Sequence, residues 1–274
     1  MYTTMNDMLR KAIKEGKGVG AFNIHALEVV PVMVQAAAEL ESPIILQVSV
    51  STAKYIGFDL LSTLVKKMAD EKEIDIALHL DHAKELQDIE MALKGGFSSV
   101  MIDGSYMELS ENIKITCAAA EMARKAGASI EAELGIVGRG ERITPFPYTD
   151  PNEAAYFVEQ TGIDALAVGI GTHHGQYKAK TEISLEVLKQ IHDKVKVPLV
   201  LHGGTGVKEE NLRPCIKLGM HKLNFGTELN VSWVRKAKAV FGDAKPDDSL
   251  RNLMILCNDA MKETVQNKIR LVRM

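Results

Sequence analysis

Apolar positions along this chain follow two alternating rhythms. Short, nearly continuous apolar runs recur at 19–24 (VGAFNI), 43–49 (PIILQVS), 75–80 (DIALHL), 98–103 (SSVMID), 128–134 (ASIEAEL), 163–170 (IDALAVGI), 197–202 (VPLVLH) and 221–225 (HKLNF). Parallel strands covered on both faces require runs of this kind. Between them lie amphipathic stretches such as LEVVPVMVQAAAELES and LSENIKITCAAAEMARKAG, with apolar residues at i, i+3, i+4 and i+7. Eight such alternations predict an α/β fold of the (β/α)8 TIM-barrel type rather than an open doubly wound sheet. Residues 2–16 predict a helix capping the barrel bottom. After the eighth strand, ELNVSWVRKAKAVF predicts a helix, GDAKPDD a turn, and an extra C-terminal helix runs to about Lys268. No linker, low-complexity segment or repeat interrupts the pattern, so residues 1–274 read as a single barrel domain.

Composition agrees and removes some functions. A chain of 274 residues is normal for one α/β barrel. With 46% hydrophobic and 25% charged residues the chain is globular and can bury most of its apolar surface. A net charge of −3 supplies no bulk field for nucleic acid or anionic membrane, so an anionic substrate must be held by local groups. The three cysteines, Cys117, Cys215 and Cys257, form no Cys-x-x-Cys pair, which fits a reducing compartment. The opening stretch has no uninterrupted apolar core, and no run approaches a membrane span. The expectation is a cytoplasmic protein without a membrane or nucleic-acid partner.

Barrels of this type place their chemistry at the carboxyl ends of the strands. Those ends carry Asn23; Ser49 and Ser51; Asp81 and His82; Asp103; Glu131 and Glu133; His173 and His174; His202; and Asn224. Three imidazoles, from His82, His202 and either His173 or His174, would hold one divalent metal, zinc best of all, with a position open for substrate. Any one of them read alone is as compatible with a satisfied core histidine. Asp81 reads either as a proton shuttle or as an orienting partner for a histidine. Asp103 and Glu133 read as buried partners of the ligands, and His79 as structural. His25, His192 and His221 read as bland. HGGTG (202–206) and NFGTELN (224–230) put small residues directly after two strands and before helix starts, where barrels bind phosphate; ordinary helix caps are the alternative. The glycine- and proline-rich stretch 133–151 reads as a loop bearing Glu141, a lid carboxylate or a passive residue.

HLDHAKE, SVMIDGS, EAELGIVG, YTDPNEAAYFVEQTGIDALAVGIGTHHGQYK, PLVLHGGTG and KLNFGTEL, in that order, resemble the class II, metal-dependent ketose-bisphosphate aldolases, fructose- and tagatose-bisphosphate aldolases among them. The resemblance implies one catalytic Zn2+ per subunit on His82, His174 and His202, with Asp103 and Glu133 offering alternative metal positions. It implies Asp81 as the proton donor and acceptor on the aldehyde-derived hydroxyl, and Glu141 as the loop acid. Gly175, Gly203, Gly204, Thr205, Asn224, Phe225, Gly226 and Thr227 match segments that hold dihydroxyacetone phosphate, and Asn23, Ser49 and Lys178 match positions lining the site. A monovalent cation (Na+ or K+) near the phosphate and a homodimer or homotetramer are common in similar enzymes. The implied reaction cleaves a ketose 1,6-bisphosphate reversibly into dihydroxyacetone phosphate and an aldehyde such as glyceraldehyde 3-phosphate.

The chain also departs from the pattern. Arg139 stands where relatives have glycine, Arg142 where they have an acid, and the loop before YTDP is short. NFGTELN looks more like the tagatose-type segment than the fructose-type one. Two other readings therefore stay open: an aldolase for another phosphorylated ketose or a deoxy sugar acid phosphate, and a non-catalytic metal-binding barrel subunit.

Overall fold

The computed structural model describes residues 1–135, 137–139, 148–175, 183–205 and 207–273; of Gly138, Arg139 and His174 only the backbone is described. The described strands are β1 (Val19–Asn23), β2 (Ile44–Ser49), β3 (Ile76–Ala83), β4 (Ser99–Ile102), β5 (Ser129–Leu134), β6 (Gly138–Arg139), β7 (Ala165–Val168), β8 (His173–His174), β9 (Leu199–Leu201) and β10 (Met220–Phe225). Eight of them close into an all-parallel barrel in the order β1-β10-β9-β7-β5-β4-β3-β2. The short β6 and β8 pair with each other outside it. The helices are α1 (Met5–Glu15), α2 (Val30–Ala38), α3 (Val50–Ile56), α4 (Phe58–Lys72), α5 (Leu86–Lys94), α6 (Leu109–Lys125), α7 (Pro151–Thr161), α8 (Leu185–Lys194), α9 (Glu209–Lys217), α10 (Thr227–Gly242) and α11 (Leu250–Val272). The closed barrel is the fold that the alternation predicts.

The interior is built in two halves. At the strand starts, Val19, Ala21, Ile45, Ala77, Ala165, Ala167 and Val200 face Met5, Met8, Leu9 and Ala12 of α1 in one apolar cluster. Helix α1 is held in place at both ends. The Thr4 hydroxyl accepts from the Asp7 N–H, and Gly16, at φ 65°, turns the chain out of the helix. The capping helix thus plugs the bottom. Towards the strand ends the same inward positions become polar: Asn23 follows Ala21, Gln47 follows Ile45, and His79 and Asp81 follow Ala77. The chemistry rests on an apolar floor.

Two expectations about element length are revised. Strand β3 does not stop at Leu80 but continues through Asp81, His82 and Ala83, beside β4. The last helix passes Lys268 and ends at Val272, because Met261, Val265, Ile269 and Val272 extend its buried face at helical spacing. The Val272 carbonyl then accepts from the Gly18 N–H at 2.8 Å, joining the last helix to the entry of β1. No helix among the described residues is long and apolar enough to cross a membrane.

The plug has a measurable energetic consequence. Leu9 is fully buried. Leu9→Ala is expected to destabilise the fold by about 2–5 kcal/mol in urea denaturation, with an unchanged m-value. Lys14→Ala, on the exposed face of the same helix, should stay within about 0.5 kcal/mol of the parent.

Candidate active site

Asp81 and His82 are neighbours in a strand, and neighbours normally point to opposite faces. Here both serve one site because the ladder is broken between them. Leu80 pairs with Val100 and Ala83 with Ile102, so β3 spends two residues where β4 spends one. His82 takes up the extra residue in the left-handed region, at φ 52°. The bulge re-aims the imidazole at a cost of about 1–3 kcal/mol.

The result is a compact donor cluster. One ligand atom each from Asp81, His82 and His202 lie within 4.8 Å of one another, as do those of His82, Asp103 and Glu133. The rings of His82 and His202 meet edge to face at 4.7 Å. His82 Nδ1 lies 2.8 Å from Asp103 Oδ2, and Asp103 Oδ1 in turn accepts from the backbone and hydroxyl of Ser105. Burial pushes the Asp103 carboxyl up, but His82 and Ser105 outweigh it and hold it well below the ordinary range. His202 is clasped from both sides, with Nε2 3.0 Å from Glu131 Oε1 and Nδ1 2.9 Å from Glu133 Oε2. Burial opposes its charge, yet the two carboxylates raise its pKa to about 10 in the metal-free protein. Two imidazoles backed by carboxylates beside further carboxylate oxygens suit a divalent metal of the zinc type.

Asp81 is oriented from its other side. Its Oδ2 accepts from Asn23 Nδ2 at 3.1 Å and from Gln47 Nε2 at 3.5 Å, while Gln47 also donates to Asn23 Oδ1 at 2.9 Å. Its Oδ1 is buried and makes no hydrogen bond among the described residues. Burial raises the Asp81 carboxyl, but the charges of His82 and Lys222 prevail and lower it.

A cavity of about 280 Å³ opens beside this carboxylate. Its walls include Asn23, Gln47, Asp81, Gly175, Gly203, Thr205, Asn224, Gly226 and Thr227. Gly203 sits at φ 68°, and a Cβ there would lie 2.3 Å from the His173 carbonyl oxygen. At the first turn of α10 the leading N–H groups have no intrahelical acceptor, which favours an anion at this wall.

Other sequence-derived candidates fall differently. Ser49 accepts from the Thr52 N–H as the cap of α3, and Phe225 is buried against Phe22. Gly204 donates its N–H to the Asn224 carbonyl. Strand β8 sets the His174 backbone opposite that of Arg139; the His174 and Arg139 side chains, and all of Glu141, Arg142 and Lys178, lie outside the described residues. His79 is buried, with Nδ1 2.7 Å from Ser99 Oγ; burial and the Lys222 charge bring its pKa down to about 3. His25, read as bland, lines the cavity. Sequence reasoning passed over Gln47 and Lys222 and gave Glu131 no role. Strand parity was the available signal, since Gln47 follows Ile45 and Lys222 precedes Asn224 by two.

Comparison with known proteins extends the geometry. The family model of the class-II fructose-bisphosphate aldolases matches residues 3–274. The chain superposes on the YdjI aldolase of Escherichia coli K12 with a TM-score of 0.89 and 32% identity, over 99% of this chain and 97% of that one. The fructose-bisphosphate aldolase of Campylobacter jejuni shares the fold at a TM-score of 0.85 and 21% identity, over 99% and 95% of the two chains.

Two outcomes follow from the site geometry. Gly203→Ala is expected to destabilise the protein by about 1–3 kcal/mol or more, read as a lowered melting temperature by circular dichroism. In the metal-free protein, the raised pKa of His202 contributes stability that is full below about pH 6.5 and lost as pH rises towards 10. A metal taking Nδ1 must displace that proton. Zinc titration near pH 7.5 in buffers of different ionisation enthalpy should therefore show release of about one proton, and His202→Asn should abolish it.

Proposed function

Since the chain belongs to the class-II fructose-bisphosphate aldolase family, a family of metal-dependent carbon–carbon lyases, we propose that it cleaves a ketose 1,6-bisphosphate of tagatose or fructose type using one zinc ion. The products are dihydroxyacetone phosphate and an aldehyde such as glyceraldehyde 3-phosphate. The observation that carries this reading is the convergence of Asp81, His82 and His202 donors within 4.8 Å beside a cavity walled by Asn224, Gly226 and Thr227.

His82, His174 and His202 would hold the zinc, with Asp103 and Glu133 as alternative or supporting ligands. When bound, the metal supplies Lewis-acid stabilisation of negative charge on the ketone-derived oxygens. The chain does the rest. Asp81, lowered in pKa and with an Oδ1 that makes no hydrogen bond among the described residues, would take the C4 hydroxyl proton during cleavage and return it during condensation. Asn23 and Gln47 keep that carboxylate from rotating. Gly175, Gly203, Gly204, Thr205 and the Asn224–Thr227 turn would bind the phosphate of dihydroxyacetone phosphate, with Na+ or K+ nearby. Ser49 and Lys178 would line the site, and Glu141 would return a proton to the three-carbon fragment. We place the enzyme in the cytoplasm as a homodimer or homotetramer, with the one barrel as its catalytic domain.

A second substrate is favoured by one observation. The backbone pairing of Arg139 with His174 sets an added basic residue next to a candidate ligand position. With Arg142 it would suit another phosphorylated ketose or a deoxy sugar acid phosphate.

Metal analysis and a retro-aldol assay test the proposal together. One zinc per chain and chelator-sensitive release of dihydroxyacetone phosphate are expected. Asp81→Asn should keep the zinc and lower kcat by about 10²–10⁴-fold. Full zinc occupancy without turnover on any phosphoketose would refute it. Running both C4 epimers and phosphoketo acids in parallel separates the substrates. Unchanged cleavage efficiency in both Arg139→Ala and Arg142→Ala would remove the case for the second one.

A further inference from the structure

Lys222 is a lysine with no access to solvent. Its Nζ lies 3.0 Å from Glu131 Oε2, also fully buried, and donates to Asn224 Oδ1 at 2.9 Å. Nothing in the proposed reaction uses this ammonium.

Its contacts nevertheless dictate a direction. A lysine ammonium has donors only. The oxygen of the Asn224 amide must therefore face Lys222, since the opposite rotamer would set N–H against N–H. That leaves the amide NH2 of Asn224 as the group it offers to the cavity that this residue lines. Glu131 makes the arrangement possible by giving Lys222 a countercharge in the barrel interior. The same carboxylate meets His202 through Oε1, so the ammonium cannot swing away without unpairing a buried charge.

We propose that Lys222 is a positioning residue that locks Asn224 with its NH2 towards the substrate, making this wall a fixed donor selective for acceptor oxygens such as those of a phosphate or an anionic ketone fragment. The proposal rests on the aldolase reading above for its ligand, but not for its geometry.

The test uses zinc-saturated full-length protein and calorimetric titration with dihydroxyacetone phosphate. The parent must bind; if it does not, the aldolase reading fails first and separately. Asn224→Asp keeps the shape and the contact with Lys222 but replaces the NH2 by an oxygen. Its Kd for dihydroxyacetone phosphate should rise by about 10–100-fold, with zinc content unchanged. An Asn224→Asp protein that binds like the parent would overturn the proposal, because the oxygen would then already face the ligand. Lys222→Met alone strands the Glu131 charge, so Lys222→Met/Glu131→Gln, which removes the ion pair together and keeps a side-chain amide beside His202, serves instead, with its zinc content measured. It should fold by circular dichroism and bind dihydroxyacetone phosphate about 10-fold or more weakly. The same pair added to Asn224→Ala should cost less than about twofold further, since no amide remains to be oriented. Losses that multiply in full would show that Lys222 acts by general packing and would also sink the proposal.

Discussion

Glu131 carries a carboxylate in the barrel interior with no exposure to solvent. Such a group is tolerable only if its oxygens are all answered. The answer comes from two strands and the residue after a third: Lys222 on Oε2, His202 on Oε1, and His79 on Oε2 at the longer distance of 3.7 Å. Burial pushes the Glu131 carboxyl up, but Lys222 and His202 hold it down at about 2. Much of the site hangs from this one negative charge. It turns His202 by one nitrogen and leaves the other for the cluster with His82. It also pins the lysine that orients Asn224.

Beneath it the barrel is ordinary. Helix α1 closes the floor with Met5, Met8, Leu9 and Ala12, packed on the first residues of the strands. That division lets the upper half concentrate charge without weakening the whole. The apolar floor and the helical ring carry the burial energy, and the polar tier only has to be internally satisfied.

The barrel was legible because eight apolar runs separated by amphipathic stretches admit few other folds. The strand-end residues were legible because parallel barrels collect chemistry there, which is how His82, His202, Asp81, Asp103 and Glu133 could be named. The bulge was not. It depends on β4 offering one residue against two of β3, and no local pattern near HLDH encodes that. Lys222 was hidden for a similar reason. A lysine in a short strand usually faces water; this one points inward next to a register shift against β9 between Met220 and Lys222. Ser49 has a structural role that its strand-end position alone did not announce: its hydroxyl accepts from the Thr52 N–H and caps the next helix. His25 lies past its strand in a connecting segment, where periodicity says nothing about which way a ring turns.

His82 carries a consequence for how such a site can change over generations. At φ 52° the backbone itself screens what the position accepts. Glycine meets no steric penalty there, and asparagine and aspartate little. Among the metal-donating residues, only histidine and aspartate also suit that conformation well. Branched and bulky replacements are rejected before any question of chemistry arises. Folding alone would be served by glycine here, while the zinc-binding role proposed for His82 needs the imidazole. The demands of backbone and imidazole therefore meet at a single peptide unit, and a replacement at position 82 has to satisfy both.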